Sequence, residues 1–204
     1  NSHRGLLRTL QVVVERASQS AQVVLVCNAS RPETSQPLAR ALEASLGKAL
    51  HSLWWNGNPE RGNTILGPHW QRLRGPEAVR ERIGDAVVFF PPGAFGQANL
   101  ELAERLARRI ADWVPEGSRV LELYAGCGML GLPLLPRIAR LELNERSEHA
   151  LRGLALGLAR LPAEQQARVL LHTGAAGEQA EGLARIASSD VVIADPPRRG
   201  LDPP

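Results

Sequence analysis

The stretch Leu121–Leu130, Leu-Glu-Leu-Tyr-Ala-Gly-Cys-Gly-Met-Leu, decides the fold of the second half of this chain. Its pattern is typical of the end of a β-strand, a turn that uses Gly126 and Gly128, and the start of a helix. In α/β proteins such a turn lies at the carboxyl end of the first parallel strand, where ligands bind. The two glycines by themselves are a weak signal, since many tight turns between a strand and a helix contain them.

The residues around this stretch alternate between strand and helix patterns. A helix is expected after Asn99, a natural N-cap, with an apolar stripe of Ala103, Leu106, Ile110 and Trp113. Dense apolar strands indicate a parallel sheet that is covered on both faces. We therefore predict an α/β, Rossmann-like sheet of about four parallel strands, with the fourth beside the first. The strand candidates are 119–126, 139–144, 167–174 and 190–197.

The first ninety residues predict a small α+β domain. Two β-branched runs, 7–17 and 21–29, favour an antiparallel hairpin, and a helix is expected to end near Gly47. Two short strands are expected on either side of the turn cluster 56–59, and a further strand ends at Pro91. We place the domains at 1–94 and 95–204.

Composition restricts the class of protein. The chain has 204 residues, of which 44% are apolar, so a packed core is expected. No apolar run approaches the ~20 residues that span a membrane, and the two cysteines, Cys27 and Cys127, lack metal-ligand spacing. A cytoplasmic protein without membrane or metal is the default prediction. Arginine supplies every basic residue except Lys48, which fits either phosphate recognition or a GC-rich genome.

Two acidic residues follow apolar strands of the predicted sheet. Glu142 stands sixteen positions after Gly126, at the expected end of the second strand, where a carboxylate can accept hydrogen bonds from a ribose. Glu145 and Glu148 are expected on the following helix, in solvent. Asp195 ends the fourth strand, and the two prolines after it hold that carboxylate at the same rim.

Three short motifs add a family resemblance. Phe-Gly-Gln-Ala-Asn at 95–99, Asn-Thr-Ile-Leu-Gly at 63–67 and Asp-Pro-Pro-Arg-Arg-Gly at 195–200 resemble elements of the RNA 5-methyluridine (uracil-C5) methyltransferases, which are class I enzymes. The resemblance covers about 4–200. It implies S-adenosyl-L-methionine as the cofactor and methylation of position 5 of a uridine in rRNA or tRNA.

The resemblance also implies roles for individual residues. Gln97 would contact the methyl donor, Tyr124 and the turn at Gly126 and Gly128 would hold its amino-acid part, Glu142 would bind the ribose, and Asp195 would lie beside donor and target base. Arg198 and Arg199 would hold the RNA backbone.

Several positions depart from the family pattern. Met129 replaces an asparagine, Gly174 stands where a polar residue often contacts adenine, and Cys127 lies two places after the family's turn cysteine. The family's RNA-binding barrel and iron–sulfur cysteines have no counterpart here.

The family mechanism uses a nucleophilic cysteine downstream of the Asp-Pro-Pro-Arg motif. We expect that residue beyond Pro204, and the chain as given to be an inactive fragment. Two alternatives stay open. An amino-group methyltransferase could use Asp-Pro-Pro, although Arg198 replaces its usual aromatic residue, and a non-catalytic relative could bind RNA. The tryptophans Trp54, Trp55 and Trp70 could stack on bases, but the core is their more common place.

Overall fold

A computed structural model describes residues 5–176, 180–198 and 200 of the chain. The backbone contacts divide it into two compact units. The first comprises Asn1–Glu81 and Pro91–Gly93, and the second comprises Arg82–Phe90 and Ala94–Pro204. Residues 82–90 thus group with the second unit, whereas the sequence analysis assigned them to the first domain.

The first unit contains a four-stranded sheet in the order β1-β2-β3-β4. The predicted hairpin of β1 and β2 is antiparallel, β2 and β3 run parallel, and β4 is antiparallel to β3. The helix α1 packs on one face, where Leu38, Leu42 and Leu46 lie against the core cluster that includes Leu25 and Trp55. The bounds are β1 Leu7–Glu15, β2 Ser20–Cys27, α1 Gln36–Leu46, β3 Leu50–Gly57, β4 His69–Arg74 and β5 Val79–Ile83, the strand in which the division of the units falls.

One part of the first unit differs from the prediction. Residues 63–67 form no strand, because side-chain amides hold this loop. Asn56 Nδ2 donates to the carbonyls of Gly67 and His69, and Asn58 Nδ2 donates to those of Thr64 and Ile65. The strands β4 and β5, which the sequence analysis missed, contain several exposed polar residues; exposed and buried residues alternate along β5, and four of the six residues of β4 are exposed.

The tryptophans of β3 belong to the core of the first unit. Trp54 is 8% exposed and Trp55 is 2% exposed. Trp70, on β4, is partly buried against Trp54, Val24 and Val26. A stacking surface for bases at Trp54 and Trp55 is therefore excluded in this conformation.

The second unit contains the predicted parallel sheet. Within the described residues it has four strands in the order β10-β7-β8-β9, so the fourth strand lies beside the first, as expected. Its core centres on Leu134, Leu141, Leu143 and Leu154. The bounds are β6 Ala86–Phe90, α2 Leu100–Trp113, β7 Arg119–Leu123, β8 Arg140–Glu145, α3 Glu148–Leu158, α4 Ala163–Gln166, β9 Val169–Thr173, α5 Ala180–Ser188 and β10 Val191–Ala194.

Helix α2 begins as predicted, because the Asn99 side chain accepts a hydrogen bond from the Leu102 N–H. Its buried face was predicted only in part. Ala103 and Ala107 are buried, whereas Leu106 and Trp113 are exposed. The Trp113 ring lies beneath the Arg109 guanidinium, whose carbon is 5.2 Å from the ring centroid. Within the described residues, none of the helices combines the length and the apolar character that crossing a bilayer requires.

Candidate functional site

A cavity of about 600 Å³ opens at the carboxyl ends of the parallel strands in the second unit. The segments that follow β7, β8, β9 and β10 all contribute to its wall, together with the segment that precedes α2. This is the edge at which doubly wound sheets bind their ligands. The lining residues are Phe90, 95–97, Glu122, 124–127, Met129, Leu130, 144–147, Ala150, Gly174, Ala176 and 195–198.

Five of the residues predicted from the sequence lie together in this wall: Gln97, Tyr124, Gly126, Asp195 and Arg198. Four of these residues follow β7 or β10, and because these two strands are adjacent and parallel, their carboxyl ends lie at the same edge of the sheet. Two further predicted residues, Gly128 and Glu142, are not part of the lining that the described residues form. Arg199, predicted to contact RNA, lies outside the described residues.

The glycine turn has a positive φ at three positions: Tyr124 at +58°, Gly126 at +57° and Gly128 at +82°. A Cβ on Gly126 would meet nothing within 4 Å, whereas a Cβ on Gly128 would lie 2.8 Å from Leu132 and Leu154 side-chain carbons. Gly128 therefore permits close packing of the turn on the core rather than contact with a ligand.

The carboxylate at the end of the second strand is Glu145, and the prediction of Glu142 at that place was wrong. The strand β8 continues to Glu145, so Glu142 stands in its middle. Glu142 Oε1 lies 3.1 Å from Arg140 Nε, and Glu142 Oε2 lies 3.0 Å from His172 Nε2. The strand ends one residue later than the predicted 139–144, because Glu145 is still paired with Thr173 of β9.

Glu145 is fixed by main-chain donors and is 9% exposed. Its Oε2 accepts a hydrogen bond from the Gly126 N–H at 2.7 Å. Its Oε1 accepts from the N–H groups of Arg146 and Ser147 at 2.8 and 2.7 Å. A carboxylate oxygen can accept two hydrogen bonds, so Oε2 can still accept one from a hydroxyl in the cavity. The Gly126 N–H, in turn, is directed to Glu145 and not to a ligand.

Glu122 is a cavity residue that the sequence analysis missed. It lies in β7, is 2% exposed, and its Oε2 has no hydrogen-bond partner among the described residues. Burial raises the pKa of this carboxyl to about 8; the Gly131 N–H, which hydrogen-bonds it, opposes that rise, and the negative charges of Asp195 and Glu145 add to it. The available signal was a single charged residue between the apolar Leu121 and Leu123.

Two other side chains of the lining, those of Asn144 and Cys127, provide neither an unused amide donor nor a thiolate nucleophile. Asn144 is 3% exposed, and its Nδ2 donates to the carbonyls of His172 and Gly174, which joins the ends of β8 and β9. Burial, with the nearby charge of Glu145, raises the pKa of Cys127 to about 12, so this thiol is protonated at neutral pH. In the part of the chain that the structure describes, no cluster of three or more His, Cys, Asp or Glu side chains could hold a metal ion.

Comparison with known proteins gives a consistent set of relatives, although no model of a protein family matches the chain. The chain is 34% identical over 207 residues to the uncharacterized RNA methyltransferase pc1998 of Protochlamydia amoebophila, covering 98% of this chain and 53% of that protein. It is 31% identical to the uncharacterized RNA methyltransferase gll3134 of Gloeobacter violaceus, covering 98% and 43%. It is 30% identical over 153 residues to the tRNA (uracil(54)-C(5))-methyltransferase of Pyrococcus abyssi, covering 74% and 35%.

A solved structure matches the fold. The crystal structure of the Pyrococcus abyssi tRNA (uracil-54, C5)-methyltransferase in complex with S-adenosyl-L-homocysteine superposes with a TM-score of 0.75 and 23% identity, covering 98% of this chain and 46% of that one. The chain spans about half the length of the relatives it matches. It has the α/β fold of S-adenosylmethionine-dependent methyltransferases, and its homologues are RNA methyltransferases.

Proposed function

We propose that this chain is the donor-binding part of an RNA methyltransferase that transfers a methyl group from S-adenosyl-L-methionine to position 5 of a uridine in tRNA or rRNA. The observation that carries the proposal is the cavity at the strand ends, where Gln97, Tyr124, Glu145 and Asp195 meet. The relative named for methylation of uracil 54 at C5 supports the choice of base.

The residues of the cavity fit this donor. Its volume of about 600 Å³ lies within the range of small-molecule sites. Glu145 Oε2 has an acceptor position left for a ribose hydroxyl. The role predicted for Glu142 therefore passes to Glu145, which lies at the end of the same strand.

Charge in the cavity also favours this donor. The carboxyl groups of Glu122, Glu145 and Asp195 all line the wall. Arg146 and Arg198 line the same wall, so a donor that carries a sulfonium, an ammonium and a carboxylate can find groups of opposite charge for each of them. When bound, the donor supplies an electrophilic methyl group, and the residues of this chain orient it.

The RNA would approach from the segment that follows β10. Arg198 lines the cavity and is exposed, so its guanidinium can reach a phosphate near the donor. We propose that Arg198, and Arg199 next to it in sequence, hold the nucleotide backbone while the base enters the cavity.

Methylation at the C5 position needs a nucleophile that adds to the uracil ring, and neither cysteine of this chain fits that role. The Cys127 thiol has a pKa raised to about 12, and Cys27 is fully buried in the core of the first unit. We propose that this chain binds the donor but does not methylate RNA by itself.

Isothermal calorimetry with S-adenosylhomocysteine tests the donor site. Loss of a hydrogen bond to a charged group costs about 1.5–3 kcal/mol, so Glu145→Ala should weaken binding about tenfold to a hundredfold. Glu142→Ala is the matched control, since it removes a carboxylate from the same strand outside the cavity, and it should change affinity less than about threefold. Circular dichroism of each variant checks that it remains folded.

Four results would contradict the proposal. An absence of binding to the unaltered protein would remove the donor site, and the reverse order of the two variants would restore Glu142. Incubation of tRNA and rRNA with the protein and labelled S-adenosylmethionine, followed by nucleoside analysis, tests the chemistry. Label on an exocyclic amine would favour the amino-group methyltransferase, and 5-methyluridine made by this chain alone would show that it needs no further nucleophile.

A further inference from the structure

The side chain of Asn144 has one polar atom without a partner at the wall of the cavity. Asn144 lines the cavity and is 3% exposed. Its Nδ2 carries two hydrogens and donates to the carbonyls of His172 and Gly174 at 3.4 and 3.2 Å. Within the described residues its Oδ1 accepts no hydrogen bond, yet it is not one of the unpaired atoms that the protein closes off from solvent. This oxygen is therefore open to a ligand in the cavity.

The two carbonyls fix the direction in which the Asn144 amide points. If the amide were turned over, Oδ1 would face the carbonyl oxygens of His172 and Gly174, and two acceptors repel each other. Main-chain bonds hold the same junction of strands. The Gly174 N–H donates to the Glu145 carbonyl, and the Ala125 N–H donates to the Asn144 carbonyl, each at 3.0 Å. The acceptor is thus held in place before a ligand binds.

The order of the strands indicates which part of the donor lies beside Asn144. The strands stand in the order β10-β7-β8-β9, with Asp195 directly after β10 and Glu145 at the end of β8. In the proposed function the methyl group lies near Asp195 and the ribose lies at Glu145. The adenine is attached to the far side of the ribose, so it extends toward the ends of β8 and β9, which Asn144 joins.

Few side chains in this part of the cavity can accept a hydrogen bond. Gly174 has no side chain, and Arg146 has only donors. Ser147 is the N-cap of α3, so its Oγ already accepts a hydrogen bond from a main-chain N–H of that helix. Among the described residues of this part of the lining, Asn144 Oδ1 is the side-chain acceptor that remains for a base.

We propose that Asn144 Oδ1 accepts a hydrogen bond from the 6-amino group of the donor's adenine. This inference rests on the proposed function and assigns recognition of the base to a residue that the sequence analysis missed. Gly174 stands where a polar residue often contacts adenine, and the amide at the end of the neighbouring strand supplies that contact instead.

The consequence is that the site distinguishes purines by the group at position 6. The amino group of adenine donates a hydrogen bond, whereas the 6-oxo group of hypoxanthine only accepts one and would face Oδ1 as acceptor against acceptor. A site that is built to accept a hydrogen bond from a ligand rejects an analogue that lacks the donor, because its own polar group is then left unpaired.

Calorimetry with S-adenosylhomocysteine and S-inosylhomocysteine, its 6-oxo analogue, measures this preference on the unaltered protein. S-adenosylhomocysteine should bind about tenfold to a hundredfold more tightly, since the analogue loses the hydrogen bond and leaves Oδ1 unpaired. A third ligand, the analogue with hydrogen at position 6, cannot donate but does not repel Oδ1, so its affinity should lie between the other two. Equal affinity for the amino and oxo ligands would overturn the proposal.

The variant Asn144→Ala locates the preference on this side chain. It should bring the ratio of the two affinities close to one. The ratio is the decisive quantity, because Asn144 also joins β8 to β9, and a purely structural loss would weaken both ligands equally and leave the ratio unchanged. His172→Ala is the matched control, since it removes a contact with Glu142 between the same two strands outside the cavity lining, and it should keep the ratio of the unaltered protein.

The outcomes separate this inference from the proposed function. Binding of S-adenosylhomocysteine without preference over the oxo analogue, or a preference that Asn144→Ala keeps, would overturn the role of Asn144 and leave the donor site in place. An absence of binding to the unaltered protein would overturn both. The comparison of the three ligands needs no variant, so the test stands even if Asn144→Ala fails to fold.

Discussion

Replacement of Glu122 by glutamine should change how the stability of the ligand-free protein depends on pH. Glutamine has nearly the shape of the neutral acid but cannot ionise. The pKa of Glu122 rises from its ordinary value of 4.5 to about 8, chiefly because the group is buried. Between these two values the folded protein holds one proton more than the unfolded chain, so its stability falls as the pH rises.

The size of the effect follows from this interval. Each pH unit corresponds to about 1.4 kcal/mol, so the whole interval from 4.5 to about 8 corresponds to about 5 kcal/mol. The stabilising contribution of the neutral form is complete below pH 4.5 and is lost by pH 8. Between pH 5.5 and pH 7.5 the free energy of unfolding should fall by about 3 kcal/mol on this account. That is a large part of the stability of an ordinary domain.

Urea unfolding followed by circular dichroism at half-unit steps of pH measures the difference. The free energy of unfolding of Glu122→Gln should exceed that of the unaltered protein by an amount that grows about 3 kcal/mol from pH 5.5 to pH 7.5. Parallel curves for the unaltered protein and Glu122→Gln would refute the neutral state of Glu122.

Two further predictions concern the turn and the cysteines. Gly128→Ala should destabilise the protein by about 2–4 kcal/mol, because its Cβ would crowd Leu132 and Leu154 at a position with positive φ. Gly126→Ala also has a positive φ but open space around its Cβ, so it should destabilise the protein by only about 1–2 kcal/mol. Urea denaturation measures both losses, and equal losses would contradict the packing role of Gly128. Cys27 and Cys127 are 0% and 3% exposed, and the pKa of Cys127 is raised to about 12. A thiol reagent at pH 8 should therefore modify neither cysteine in the folded protein and both cysteines in urea, and rapid modification of the folded protein would contradict this.

The sheet of the second unit could be predicted because its elements repeat a simple pattern. Apolar strands alternate with helices, and adjacent parallel strands bring their carboxyl ends to one edge. The sequence therefore predicts Tyr124 and Asp195 at one site, and both line the same cavity. The loop at 63–67 could not be predicted in this way. Its conformation depends on hydrogen bonds from Asn56 and Asn58, and an apolar pattern carries no information about such contacts.

Short motifs did not predict correctly which carboxylates belong to the site, but the alternation of side chains along a strand distinguishes the residues that face the site from those that do not. Leu141 and Leu143 are fully buried, and Glu145 follows them at a spacing of two, so it shares their face of the sheet, whereas Glu142 faces the other side. Glu122 is paired in register with Leu143 and therefore lies on the same face as Glu145. An acidic residue in phase with buried apolar neighbours lacks water as a partner. Main-chain N–H groups supply the partners of Glu145, whereas Glu122 Oε2 has none among the described residues, so burial favours the neutral form of Glu122.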